Sequence, residues 1–162
     1  MEQRRRALAI AAEGQLALLF IDLDGFKAVN DEQGHQQGDR VLVAAAEVLT
    51  SLIRDTDVAG RLGGDEFVIC LASGQGQIDS TAAEVAERVL SKVRQIGFGI
   101  SCSIGIAVCS GLDADVSRAL SDADEAMYEA KHRGKNRAVV FGRGPKVDGT
   151  AWGAGPADQK KA

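Results

Sequence analysis

Six consecutive apolar residues, Leu16 to Ile21, run directly into Asp22, Leu23 and Asp24. A segment that is apolar at every position has no face to give to water, so it reads as a strand covered on both sides of a sheet. The acids that follow mark the point where the chain leaves that sheet. Carboxylates held there by a rigid element are within reach of a ligand.

The rest of the chain supplies the covering layers. Glu2 to about Glu13 contains no helix breaker and is followed by Gly14, so it reads as a helix with its C-cap. Gly25 to Asp31 suits a short helical turn with Asp24 as N-cap, and Gly34 to Gly38 a loop. From Asp39 to Ile53, Val41, Ala45, Val48 and Leu52 recur at helical spacing. Val58 to Leu62 and Phe67 to Leu71 are short strands around Gly63 and Gly64, a hairpin presenting Asp65 and Glu66 at its tip. After a loop of Gly and Gln, Ile78 to Val93 is helical, with Ala82, Val85, Val89 and Val93 on one face. Ile100 to Val108 alternates apolar residues with Ser101, Ser103, Gly105 and Ala107, a strand pattern. Val116 to about His132 forms the last helix, Gly134 ends it, and Arg137 to Phe141 is a final strand. Mixed hairpin and crossover connections of this kind predict an α/β sandwich, with a central, mainly antiparallel sheet flanked by helices.

The 162 residues, 45% of them hydrophobic, suffice for one core of ordinary size. No run approaches the roughly 18 to 20 apolar residues of a membrane helix, and no signal peptide is visible. A soluble, cytoplasmic protein without membrane contact is expected. Cys70, Cys102 and Cys109 lie in or beside apolar strands without metal-ligand spacing, as reduced, buried thiols would. A net charge of −4 argues against nucleic acid as partner. Local cationic charge exists in Lys131, Arg133, Lys135 and Arg137, which alone would read as a helix C-terminus complementing its dipole. Residues 142–162 hold both prolines and five of the nineteen glycines and are expected to form a disordered tail or linker after a domain spanning 1–141.

If the first strand and the hairpin are neighbours, Asp22 and Asp65 converge, and such oxygen-rich convergence suits Mg²⁺. Each signal alone is weak. Read together, LFIDLDGFKAVNDEQGHQQGD and RLGGDEF, with SIGIAV and DADEAMYEAKHRGKNR further on, resemble the signature of the GGDEF family of diguanylate cyclases over about Arg4 to Phe141.

That resemblance implies a fold like that of nucleotidyl cyclases and polymerase palms, and an enzyme condensing two GTP into cyclic di-GMP with Mg²⁺, Mn²⁺ being a substitute. It implies that Asp22, the Leu23 carbonyl and Asp65 are metal ligands. Asp65 is also the proton acceptor, with Glu66 beside it, and Lys27 stabilises the transition state. Gly25 and Phe26 match the loop that meets phosphates at a helix N-terminus. Asn30 and Asp39 match the guanine readers, which otherwise would cap a turn and N-cap the long helix. His35, a loop histidine by position, lies near the substrate. Gly64 allows close approach of substrate, and Lys131 and Lys135 hold the terminal phosphates. Lysine at 135, where relatives often have arginine, keeps the charge without the bidentate fork.

Arg54 and Asp57 give the Arg-x-x-Asp pattern of the family's inhibitory site for cyclic di-GMP. Arg88 is a further cation for it, or else a surface helix arginine. The resemblance also implies a transient homodimer with a second GGDEF domain, and an upstream sensory or downstream domain in a parent protein. Relatives usually carry an Asp-x-Leu-Thr segment before the Arg4 to Leu8 stretch, which here is missing, so a fragment or shortened start is expected. A different function class stays open: a catalytically weak module that binds GTP or cyclic di-GMP and regulates a partner domain. A cyclase making a cyclic mononucleotide shares the metal logic but not the RLGGDEF hairpin.

Overall fold

The computed structural model describes residues 14–73, 77–110 and 115–142. The helix expected over Glu2 to Glu13, residues 74–76 and the tail from 143 onward lie outside the described residues. Nine elements follow in order: β1 (Gln15–Asp24), α1 (Phe26–Gln33), α2 (His35–Ser51), β2 (Val58–Gly63), β3 (Glu66–Ser73), α3 (Ile78–Arg94), β4 (Ser101–Ser110), α4 (Val116–His132) and β5 (Arg137–Val140). The sheet order is β2-β3-β1-β4-β5. All neighbouring pairs are antiparallel except β4 and β5, which are parallel because α4 carries the chain back across the sheet. The expected sandwich with a mainly antiparallel sheet is the observed fold.

β1 occupies the centre, which accounts for its unbroken apolar run. Ala17, Leu19, Ile21 and Leu23 point to one side and pack with Val41, Ala45 and Leu49 of α2 and with Ala82, Val85 and Val89 of α3. Leu16, Leu18 and Phe20 point to the other and pack with Ala119, Ala123 and Met127 of α4. The two-residue period of a strand thus supplies two cores from one segment.

On the α4 side the small residues of β4 decide how closely the helix sits. A methyl group at Gly105 would collide with the Ala123 carbonyl oxygen and the Met127 amide, so α4 lies directly on β4 at that point. Cys70 and Cys102 are buried thiols whose pKa burial pushes up to about 11 and about 12, and Cys109 is raised for the same reason. They are inert protonated hydrophobes at neutral pH. Among the described residues no helix is long and apolar enough to cross a membrane.

Several local expectations are corrected. Asp24 does not cap α1: Gly25, at φ +83°, holds the N-cap position, and the Asp24 side chain turns back to the sheet. The segment Gly34 to Gly38 is not a loop, because only Gly34 interrupts the helices and α2 resumes at His35. Asp39 therefore lies inside α2 rather than at its cap, and His35 is a helical residue. Glu66 is not at the hairpin tip: it begins β3, opposite Asp22.

Candidate active site

Asp22 and Asp24 continue the face of β1 that looks toward α4, since they follow Leu16, Leu18 and Phe20 at intervals of two. In register, Asp22 faces Glu66 of β3 on one side and Ser103 of β4 on the other. The hairpin turn is fastened to this strand end, for the Leu23 amide donates to the Asp65 carbonyl oxygen at 3.2 Å. Arg61 Nε donates to the Gly64 carbonyl oxygen at 2.8 Å and braces the same turn from within. The convergence of Asp22 with Asp65 is therefore built by the backbone, and the charge of Asp65 is felt at Asp22.

Asp22 is buried, and that burial raises its pKa above 3.8; Asp65 and Asp24 push in the same direction, while Lys131 opposes them. The Lys131 ammonium, at the end of α4, lies 2.7 Å from Asp22 Oδ1. That oxygen takes no directed hydrogen bond from any other described residue. Burial disfavours the Lys131 ammonium, but the hydrogen bond and charge of Asp22, with Asp24 and Asp65, outweigh it and raise its pKa above 10.5.

A carboxylate oxygen with unused acceptor capacity, beside a second carboxylate, fits a hard cation. Among the described residues no three His, Cys, Asp or Glu side chains gather to hold a metal on their own. Such a donor set suits a hard ion that completes its shell with oxygens from outside the protein, rather than an all-protein cage.

Asp24 has the opposite character. It is buried, and three donors of the protein converge on it: Ser103 Oγ at 2.9 Å, Ser101 Oγ at 3.2 Å and the Asn136 amide at 3.2 Å. Of the two acids at the strand end, Asp24 is thus the one tied into the protein, while Asp22 Oδ1 has only Lys131 beside it among the described residues.

Lys27, on the first turn of α1, is exposed, as are Gly25, His35, Asp39, Gly64 and Lys135, while Phe26, Asn30, Asp65 and Glu66 are partly buried. Asn30 lies against Gly38 so closely that any side chain there would collide with its Oδ1. Asp39 lines a cleft of about 430 Å³ between α2 and β2, with Leu42, Val43, Arg61 and Phe67 among its walls. A second cleft, of about 290 Å³, gathers Arg54, Asp57 and Arg88, the last an exposed residue of α3. Asp57 there accepts from the Arg54 amide at 3.0 Å and from the Ala72 amide at 3.2 Å, which fixes its carboxylate.

Gly38, Arg61, Ser101, Ser103, Gly105 and Asn136 were not among the expected site residues. The alternation of small residues along β4 was the one signal pointing to some of them. It marks a strand face on which another element sits closely.

A family model described as "Diguanylate cyclase, GGDEF domain" matches residues 2–137. The chain is 42% identical over 136 residues to the bifunctional diguanylate cyclase/cyclic di-GMP phosphodiesterase MucR of Pseudomonas aeruginosa, covering 82% of this chain and 20% of that protein. It is 38% identical over 134 residues to the diguanylate cyclase DgcS of Shewanella oneidensis, covering 80% and 44% respectively. It thus spans less than half the length of these relatives. Among solved structures, an EAL/GGDEF domain protein from M. capsulatus superimposes with a TM-score of 0.71 at 41% identity, covering 89% of this chain and 96% of that one. The GGDEF domain of DgcB from Caulobacter crescentus, in complex with c-di-GMP, gives 0.75 at 29% identity, with 86% of each chain covered.

Proposed function

The chain belongs to the GGDEF-domain family of diguanylate cyclases, and from that premise we propose that it condenses two GTP molecules into cyclic di-GMP and two pyrophosphates. The observation that carries this reading is the joined strand end and hairpin, where the buried Asp22, whose Oδ1 has only Lys131 beside it among the described residues, lies close enough to Asp65 to feel its charge. Asp22, Asp65 and the Leu23 carbonyl would hold Mg²⁺ or Mn²⁺. A divalent ion bound there neutralises phosphate charge and orients an in-line displacement.

The protein's own groups do the rest. Asp65 accepts the proton of the 3′-hydroxyl that attacks the α-phosphate of the other GTP, with Glu66 opposite Asp22 in the same acidic patch. Lys27 offsets charge that develops on phosphorus oxygens, and the amides at Gly25 and Phe26 face anions from a helix N-terminus. Asn30 and Asp39 read guanine, with His35 nearby and Gly64 leaving room at the turn. Lys131 and Lys135 hold the terminal phosphates, so Lys131 exchanges Asp22 for substrate. The protein acts in the cytoplasm as part of a larger parent whose other domains sense or respond. The direct test is incubation with GTP and Mg²⁺, followed by chromatography and mass analysis of products. Absence of cyclic di-GMP from a folded, GTP-binding protein would leave the regulatory-module reading in its place.

The Arg54, Asp57 and Arg88 cleft is the reading's inhibitory product site. Arginine can stack on guanine and bind its edge bidentately. Arg54→Ala is expected to relieve inhibition by cyclic di-GMP while GTP binding stays unchanged. Rates measured at increasing added product check this, and equal inhibition of both proteins would remove the site.

One Asp22/Asp65 pair can catalyse one bond at a time, whereas the product has two equivalent phosphodiester links. Two domains in a roughly two-fold arrangement would make both attacks equivalent. Rate per domain should therefore rise over a hundredfold concentration series in the dilute range, and rise further when a dimeric coiled coil is fused before Met1. A flat dependence for a protein that light scattering finds monomeric would exclude the half-site arrangement.

A further inference from the structure

Asp24 sits at the catalytic end of β1, is only 6% exposed, and has no role in the reading above. Its partners come from two distant parts of the chain. Ser101 and Ser103 belong to β4, and the Asn136 amide belongs to the connection between α4 and β5. Lys131 stands in the last turn of α4, just before that connection, and Lys135 lies within it. The connection has an unusual backbone, for Gly134, Lys135 and Asn136 hold φ values of +106°, +63° and +47° in succession. Two non-glycine residues in the left-handed region need an external hold. On the α4 side it is the Lys135 amide donating to the Ala130 carbonyl oxygen at 3.0 Å. On the sheet side Asp24 accepts from the Asn136 amide at 3.2 Å, and Arg137 Nε of β5 donates to the Lys135 carbonyl oxygen at 3.0 Å.

We infer that Asp24 is a positioning residue, which pins the left-handed turn 134–136 to the strand end and thereby sets where Lys135 meets a nucleotide's phosphates. The inference rests on the proposed GTP site. Asp22 and Asp24 thus divide the work: one faces the ligand, the other fixes the cationic turn relative to it.

The test is a binding cycle with a non-hydrolysable GTP analogue on the full chain. Asp24→Ala is expected to weaken the analogue about tenfold, the lower end of what outer-shell partners cost. Lys135→Ala should weaken it too, and the double variant should be no worse than the worse single one, because an unpinned Lys135 has little left to lose. Asp24→Asn should stay near wild type. Its Oδ1 can occupy the position that accepts from Ser101 and Asn136, and its Nδ2 can donate to a rotated Ser103 hydroxyl. A merely structural role would not produce that rescue together with that non-additivity.

Should Asp24→Ala fail to fold, Asp24→Leu combined with Ser101→Ala and Ser103→Ala fills the space with apolar atoms while still depriving the Asn136 amide of its acceptor. It carries the same expectation. Losses that multiply in the double variant, or unchanged affinity in a folded Asp24→Ala protein, would overturn the inference while leaving the site intact. No binding by wild type, or no effect of Lys135→Ala, would instead overturn the proposed site, and the inference with it.

Discussion

Asp65→Ala is expected to lower turnover about a thousandfold, equivalent to ~4 kcal/mol in the transition state, while the melting temperature moves by no more than about 3 °C. The fold should survive because the turn is fastened by the backbone. The Leu23 amide reaches the Asp65 carbonyl oxygen, and Arg61 holds the Gly64 carbonyl oxygen, neither of which needs the Asp65 side chain. Asp22→Asn should lose as much activity, with a different stability signature. Burial raises the Asp22 pKa, so at neutral pH its ionised form is less favourable in the fold than in the unfolded chain. That cost vanishes only as the pH falls below 3.8. Lys131 has the opposite sign: its raised pKa gives stability that is complete below 10.5 and lost as the pH rises through the folded value. Asp22→Asn removes the buried charge, and Lys131, a third exposed, can turn to water. Its melting temperature at pH 7 should equal or exceed wild type. Turnover and melting measured on the same samples decide the matter: substantial activity in either folded variant would remove the acid pair from catalysis.

Gly105→Ala should do the reverse and damage the fold first. The added methyl would meet the backbone of α4 at Ala123 and Met127, which cannot swing away as a side chain can. A loss of ~3 kcal/mol is expected from such overpacking, or about 10 °C in melting temperature. Gly63→Ala, with nothing within 4 Å of the new methyl, is the control and should change stability little. Because α4 carries Lys131, any folded Gly105→Ala protein should also show weaker nucleotide binding. A variant as stable as the control would mean that α4 can lift off β4 at little cost.

Much of the architecture was legible because the signals were local. The apolar run of β1 announced a strand buried on both faces, and the glycines of the hairpin announced its turn, within three residues of the observed bounds. The pairing of Asp22 with Asp65 followed once their strands were taken as neighbours. Asp24 was misread for the opposite reason. An aspartate just before a helical segment is a good N-cap, whereas its actual partners lie 77, 79 and 112 residues away. The break between α1 and α2 was misjudged because Gly38 suggests a loop. Here that glycine serves a helix–helix contact, since Asn30 occupies the space a side chain would need.

β1 is hydrogen-bonded along both edges, to β3 from Gln15 to Asp22 and to β4 over its whole length. Freeing Asp22 would require opening both ladders at once, which places local opening at that residue toward the costly end of the range a fold offers. The acids at its end belong to the stiffest part of the molecule and have little freedom to be switched by their own motion. What remains adjustable at low cost lies beside them, in the exposed first turn of α1. Control of the proposed site would act there rather than on the carboxylates themselves.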